Sequence, residues 1–526
     1  MTNNKHQEYQ YDSCISRGIC SVNPKTSSLQ EILILYLKLS AYYLIKIHKH
    51  APIDEKFKNL ILNTISVMIS GIEISENDFK SLTDIYNTEI PKIIKQYEKI
   101  CADNGEKPKY LKTVLKCNSK TDIIKSIRLG EKEFNKKTQS ISAETHGMLK
   151  ILFLVAKSLC INVLDLETYG QESDKGFISI LEILDIMNTE KADENKLKNA
   201  IIEFSKKNYD LMSEIRELQI KKYGEQQGKN VEYSTNSGKA LLVVGSNIRE
   251  LEIILEEFKE HNIDIYTHDE MMLAHTFPKF NDYKNLKGQY GYGVENCLID
   301  FSTFPGPIIL TRHSLHNVEN LYRGQLYTTD ILSKKGIIPI KRGDFSEVID
   351  AAENSRGFKS GKKCLTEKVG FSREETINNI KEKLNTNNYN GIFIIGLLGN
   401  SSEQKDYFDN LLKKLPDDIL AVSFTCCEIN KPNVICLNSG YDSFIISKIV
   451  NQTHNITDKK ITIFYPECDR HTISTMIYFS QKERISIFVG KCSPIIFNPN
   501  MLKILTKMFN INQISSVKKD LSKIIE

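Results

Sequence analysis

Ala240-Leu-Leu-Val-Val244 is a short apolar run closed by Gly245. From Asn247 to His261 the pattern becomes amphipathic, and Ile263-Asp-Ile-Tyr-Thr267 follows as a second short strand. Strand, helix, strand in this spacing is a βαβ unit, whose two strands must lie parallel. Pro307–Leu310 and Gly336–Ile340 read as further strands, and Asp344–Asn354 as a helix. The rhythm restarts near Thr376. Strands are expected at Gly391–Ile395, Leu420–Phe424, Val434–Leu437, Lys460–Tyr465 and Ile485–Val489, alternating with helices. Upstream, from Ser28 to about Tyr223, apolar residues recur at helical spacing in long segments separated by polar turns. The fold class is therefore multidomain: an N-terminal α-helical domain, then two doubly wound, Rossmann-like α/β domains with parallel sheets. The expected boundaries are 1–26 for a cysteine-containing segment, 27–236 for the helical domain, 237–372 for the first α/β domain and 373–526 for the second. Gly224–Gly238, polar and poor in aliphatics, suits a linker.

Composition narrows the function. The chain has 526 residues, 26% of them charged, and a net charge of +4 without a long basic run, which argues against nucleic-acid or membrane-surface binding. The polar start lacks a signal-like apolar stretch, and Leu29–Ile47 is broken by Glu31, Lys38 and Lys46, so it reads as a core helix. A cytoplasmic protein is expected. Its 12 cysteines suggest reduced thiols or metal ligands more than disulfides. Cys101, Cys117, Cys160 and Cys364 are expected to be small buried hydrophobes.

In doubly wound sheets functional groups gather beyond the carboxyl ends of the strands. Glu270, His313, Ser314, Cys426, Cys427, Gly440, Glu467, Cys468 and Cys492 each closely follow an apolar run. The turns Val-Val-Gly-Ser-Asn (243–247) and Gly-Leu-Leu-Gly-Asn-Ser (396–401) lack a full Gly-x-Gly-x-x-Gly, so a dinucleotide signal is weak.

Tyr266-Thr-His-Asp-Glu-Met-Met-Leu-Ala-His275, Gly288-Gln-Tyr-Gly291, Phe304-Pro-Gly-Pro-Ile-Ile-Leu-Thr311, Tyr327-Thr-Thr329 and Lys414-Leu-Pro-Asp417 occur in this order. Together they resemble the hybrid-cluster protein (prismane) family, known as hydroxylamine reductase and related to nickel carbon monoxide dehydrogenase. The resemblance implies an iron–sulfur–oxygen cluster held by one His, two Glu and four Cys. At those positions this chain has Ser246, Glu270, Ser314, Leu398, Cys426, Gly440 and Glu467. Glu270, Cys426 and Glu467 are the retained ligands. Serine hydroxyls are weak iron donors, and Leu and Gly offer none, so the ordinary hybrid cluster is not expected to be held. Cys427, Cys468, Cys492 and His313 are candidate compensating ligands. On a continuing strand, adjacent Cys426 and Cys427 would point to opposite faces. His268 is the candidate proton donor; His275 lies in the same motif.

Cys14-Ile-Ser-Arg-Gly-Ile-Cys20 resembles half of the family's N-terminal cluster motif. Two thiolates cannot saturate a four-iron cluster, but a homodimer could supply four at its two-fold axis. A free dithiol or a facultative disulfide is the other reading. The function implied is an iron–sulfur oxidoreductase reducing hydroxylamine or a related small nitrogen oxide, fed by an electron-donor protein. The alternative is a non-catalytic or electron-transfer descendant with a lost or remodelled site.

Overall fold

The computed structural model describes every residue except 1–23, 70–73, 112–122, 189–192, 292–296, 315–324, 331–335, 342, 397–401, 426–428, 438–442, 469–470, 493–498 and 526. Two compact units emerge, the first ending at Leu211 and the second starting at Met212.

The first unit is helical: α1 (Pro24–His48), α2 (Glu55–Val67), α3 (Glu76–Asp103), α4 (Ile123–Ser140), α5 (Ala143–Thr168), α6 (Asp174–Ile186) and most of α7 (Glu194–Tyr223). Side-chain caps fix several starts, with Asp54, Ser75 and Ser142 accepting from Lys56, Asp78 and Thr145 backbone N–H groups. By length and composition α1 and α5 could each cross a membrane, but both are largely buried against neighbouring helices. Some buried polar groups are paired across helices. Asn162 donates to Asn208, and Asn208 to Ser158, both at 2.8 Å, which ties α5 to α7.

The second unit holds two six-stranded parallel sheets. The first comprises β2 (Lys239–Val244), β3 (Ile263–His268), β4 (Leu286–Gln289), β5 (Ile308–Leu310), β6 (Leu326–Thr328) and β7 (Ile337–Pro339), in the order β4-β3-β2-β5-β6-β7. Helices α8 (Ile248–Glu257), α9 (Cys297–Thr303) and α10 (Ser346–Glu353) intervene. The second sheet comprises β9 (Gly391–Ile395), β10 (Ile419–Ser423), β11 (Val434–Cys436), β12 (Lys460–Glu467), β13 (Ile485–Cys492) and β14 (Ile511–Gln513), ordered β11-β10-β9-β12-β13-β14. Helices α11 (Arg373–Thr386), α12 (Ser402–Lys413), α13 (Ser443–Ile456), α14 (Thr472–Ser480), α15 (Pro499–Phe509) and α16 (Val517–Ile525) accompany it. Both orders run third, second, first, fourth, fifth, sixth along the chain. That arrangement opens a crevice beside the first and fourth strands, where the direction of winding reverses.

The central strands are almost wholly buried, as a sheet covered on both faces requires. In the second sheet Phe393, Phe408, Phe464 and Phe488 form one aromatic core, with Phe464 stacked on Phe488 at 5.4 Å between centroids. The expected doubly wound class is thus what the chain adopts. The polar stretch expected as a linker is not one throughout: Lys229–Glu232 forms β1, antiparallel to β8 (Thr366–Val369). Bridges from Thr235 to Lys362 and Gly238 to Phe358 continue that ribbon. Cys101 and Cys160 are buried as expected, Cys117 lies outside the described residues, and Cys364 is instead exposed on the ribbon's outer limb.

Candidate functional site

Strand β3 delivers the first site residues. It ends at His268, and Asp269 then turns the chain with a left-handed φ of 61° into the short 3-10 turn Asp269–Thr276. Such a backbone is rare outside glycine and is tolerated best by Asp and Asn. The turn places Glu270 half-buried just beyond the strand end. His268 is fully buried. Its Nε2 lies 3.0 Å from Asp300 Oδ2, its ring meets Phe301 edge-on, and its Nδ1 is buried without a hydrogen-bond partner. His275 points elsewhere, with Nε2 2.9 Å from Thr267 Oγ1. Burial, helped by the positive charge of Lys229, pushes its pKa down to about 3. His275 is a neutral structural group.

The crevice of the first sheet lies between β2 and β5. Gly245 follows β2 with φ 126°, and a Cβ there would come within 2.1 Å of both Ser314 Oγ and Thr311 Oγ1. The two hydroxyls occupy the hollow the glycine leaves. Thr311 donates to Val244 O at 2.8 Å, and Ser314 Oγ lies 3.5 Å from Arg312 O and Thr311 Oγ1. Ser314 is therefore buried and turned toward its own strand ends, whereas Ser246 is exposed. His313 is buried with φ 64°, and its N–H donates to Asp330 Oδ2 at 2.9 Å.

Glu250, in the first turn of α8, braces the same segment. Its Oε2 accepts from Arg312 N–H at 3.0 Å and from Thr329 Oγ1 at 2.6 Å. Burial raises its pKa, partly offset by the Arg312 guanidinium and the Thr329 hydroxyl. Asn247 caps the helix by accepting from Glu250 N–H at 3.0 Å. A self-capped helix start carrying a buried carboxylate repels the phosphate that a dinucleotide would place there. This agrees with the weak glycine signal.

In the second sheet Glu467 ends β12, in register with Cys492 at the end of β13. A bulge between Tyr465 and Glu467 re-aims the strand end, and Glu467 sits half-buried beside the β9–β12 crevice. Cys468 follows, half-buried and outside any disulfide. The Cys492 backbone is described, but its side chain is not. Cys14, Cys20, Cys426 and Cys427 lie outside the described residues, as do Leu398 and Gly440. Among the described residues no group of three or more His, Cys, Asp and Glu side chains is arranged to hold a metal ion.

Two participants escaped the sequence reading. Asp300, which orients His268, is 32 residues away and carries no local signal. Cys436, at the end of β11 beside Ser423 of β10, is disulfide-bonded, contrary to the expectation of reduced thiols. Its position directly after an apolar run is the signal that could have singled it out.

A model of the Prismane/CO dehydrogenase family matches residues 10–434. A hydroxylamine reductase of Acidiphilium cryptum (strain JF-5) is 22% identical, covering 96% of this chain and 94% of that protein. One from Thermodesulfovibrio yellowstonii is 24% identical over 98% of this chain and 99% of its own length. Among solved structures, carbon monoxide dehydrogenase IV from Carboxydothermus hydrogenoformans aligns over 96% of this chain and 88% of that chain, with TM-score 0.48 and 11% identity. With four-fifths of its length matched, the chain belongs to the Prismane/CO dehydrogenase family.

Proposed function

We propose that the chain is an iron–sulfur oxidoreductase of the hybrid-cluster type, reducing hydroxylamine or a related small nitrogen oxide in the cytoplasm. One observation carries this reading. Glu270 and Glu467 are retained half-buried at the carboxyl ends of strands in the two sheets, in a chain matched to the family over residues 10–434. Carboxylates are hard oxygen donors for iron, and the resemblance places both of these at family ligand positions.

The residues present do not fit the ordinary hybrid cluster. Ser246 is exposed, the Ser314 hydroxyl is turned inward against Gly245, and Leu398 and Gly440 bring no donor. Any iron held would rest on fewer thiolates than the family's ligand set, with Cys426 joining the two carboxylates as ligand and Cys427, Cys468, Cys492 or His313 in reserve. Reduction of hydroxylamine to ammonia and water takes two electrons and two protons. A donor protein would supply the electrons. His268 is the candidate source of a proton, and Asp300 holds the hydrogen on its Nε2. Cys14 and Cys20 would bridge two copies through a shared cluster.

A second reading, a non-catalytic or electron-transfer descendant, is favoured by the inward turn of Ser314. Turnover of hydroxylamine by anaerobic protein with reduced viologen as donor separates the two. Activity that disappears in Cys426→Ala supports the enzyme. Activity absent from the native chain supports the descendant, and activity unchanged in Cys426→Ala removes that thiol from the mechanism.

A further inference from the structure

Five cations, Arg356, Lys359, Lys362, Lys363 and Lys368, stand within thirteen residues of the β1–β8 ribbon's outer limb, against one carboxylate, Glu367. Five less one is +4, the net charge of the entire chain. All five are exposed. Elsewhere in the same unit Lys287 is met by Asp264 at 3.4 Å and Arg373 by Glu225 at 2.9 Å, but among the described residues none of the five has an ion-pair partner. Like charges crowded on one limb repel one another, and an oppositely charged surface relieves that repulsion. The backbone beneath them is pinned. Lys362 exchanges both backbone hydrogen bonds with Thr235, at 2.8 and 2.9 Å. Phe358 packs against Tyr266, Tyr290 and Phe304, with ring centroids 5.9, 6.0 and 5.6 Å away. Leu365, 73% exposed, lies among the cations as the most exposed large apolar side chain of the described residues. Tyr290 ties the limb to α9, its hydroxyl 2.9 Å from Thr303 Oγ1, and α9 exposes Leu298 and Ile299. On its inner side the ribbon rests on the turn that carries Glu270. There the Tyr233 hydroxyl donates to Glu367 Oε2 at 2.8 Å and lies 3.4 Å from Met272 Sδ.

We propose that residues 356–368 are the docking surface for an acidic electron-carrier protein. Unpaired cations around exposed aliphatic side chains suit a transient protein interface, where complementary charge steers the encounter and a few apolar contacts hold it. Residues 359–368 include no aromatic side chain on which a nucleobase could stack. The kind of partner follows from the reaction, since two electrons must enter for each hydroxylamine reduced, and the ribbon is a charged surface adjoining the Glu270 turn. The inference rests on the redox reading above and adds to it where the donor binds and which sign of charge it presents.

The test uses the full-length protein and an acidic two-cluster ferredoxin as the probe, with association followed by surface plasmon resonance. Binding should weaken as salt rises, and Lys362→Glu combined with Lys363→Glu should slow association about tenfold. Bound ferredoxin should also shield the exposed Cys364 thiol from iodoacetamide, read by peptide mass mapping. Association unchanged in the double variant, Cys364 alkylated equally with and without ferredoxin, or no binding by the native protein overturns the proposal. So does capture of anionic phospholipid vesicles or single-stranded DNA in place of ferredoxin. Hydroxylamine turnover separates this surface from the enzyme it would serve. With ferredoxin limiting, the double variant should lose about tenfold in rate, while turnover driven by reduced viologen, a small molecule that needs no docking surface, stays at the native value. Equal ferredoxin-driven rates in native and variant protein overturn the docking surface and leave the enzyme standing. Lysine-dependent ferredoxin binding by a protein that turns over no hydroxylamine with either donor upholds the surface while the enzyme fails.

Discussion

Gly245 and Gly396 hold the same place in the two α/β sheets, each following the strand from which winding proceeds both ways. Around Gly245 the space is already taken, with Ser314 Oγ and Thr311 Oγ1 both 2.1 Å from where a Cβ would stand. Around Gly396 the nearest atoms are Phe464 O at 3.1 Å and Pro466 Cδ at 3.5 Å, which is ordinary or slightly tight contact. One topology has therefore kept two different edges. The first crevice is filled by the protein's own hydroxyls and braced by Glu250, while beside Gly396 the nearest described neighbours are a backbone carbonyl and a proline ring.

The largest expected effect tests that contrast directly. Gly245→Ala forces a side chain into a left-handed backbone and into two hydroxyls, and should cost about 3 kcal/mol in urea unfolding. Gly396→Ala should stay within about 1 kcal/mol. Equal losses would erase the distinction between the edges.

Acid should act on the first sheet through His275. Its folded pKa of about 3 lies below the unfolded value near 6.5, so the folded state refuses a proton that the unfolded chain accepts. The stability this group confers is intact above about pH 6.5 and is lost progressively as pH falls toward 3. Lowering pH from 7.5 to 5.5 should remove about 1.4 kcal/mol through this residue, and His275→Asn should flatten that part of the profile. An unaltered slope in the variant would show that other groups govern it.

Ser314→Ala carries the smallest expected change. Its hydroxyl contacts are long, so stability should shift by about 0.5 kcal/mol, and iron content should not move. A drop in iron would mean that the hydroxyl faces the metal after all.

Much of this was legible in the chain. Strands buried on both faces stand out as apolar runs, so β2, β9, β10, β12 and β13 were readable, and Glu270 and Glu467 lay where strand ends predict. Leu286–Gln289, Leu326–Thr328 and Ile511–Gln513 were not, because three or four residues with mixed polarity give no period to detect. The grip of Asp300 on His268, and of Gly245 on Ser314, joins residues 32 and 69 positions apart; only folding brings them together.

The most direct measurement is iron and acid-labile sulfide per chain in anaerobically purified protein, with electron paramagnetic resonance of its reduced state. Bound iron with sulfide, and a resonance altered by Glu467→Gln, is the predicted result. A chain free of iron and silent on reduction would contradict the assignment as an iron–sulfur oxidoreductase.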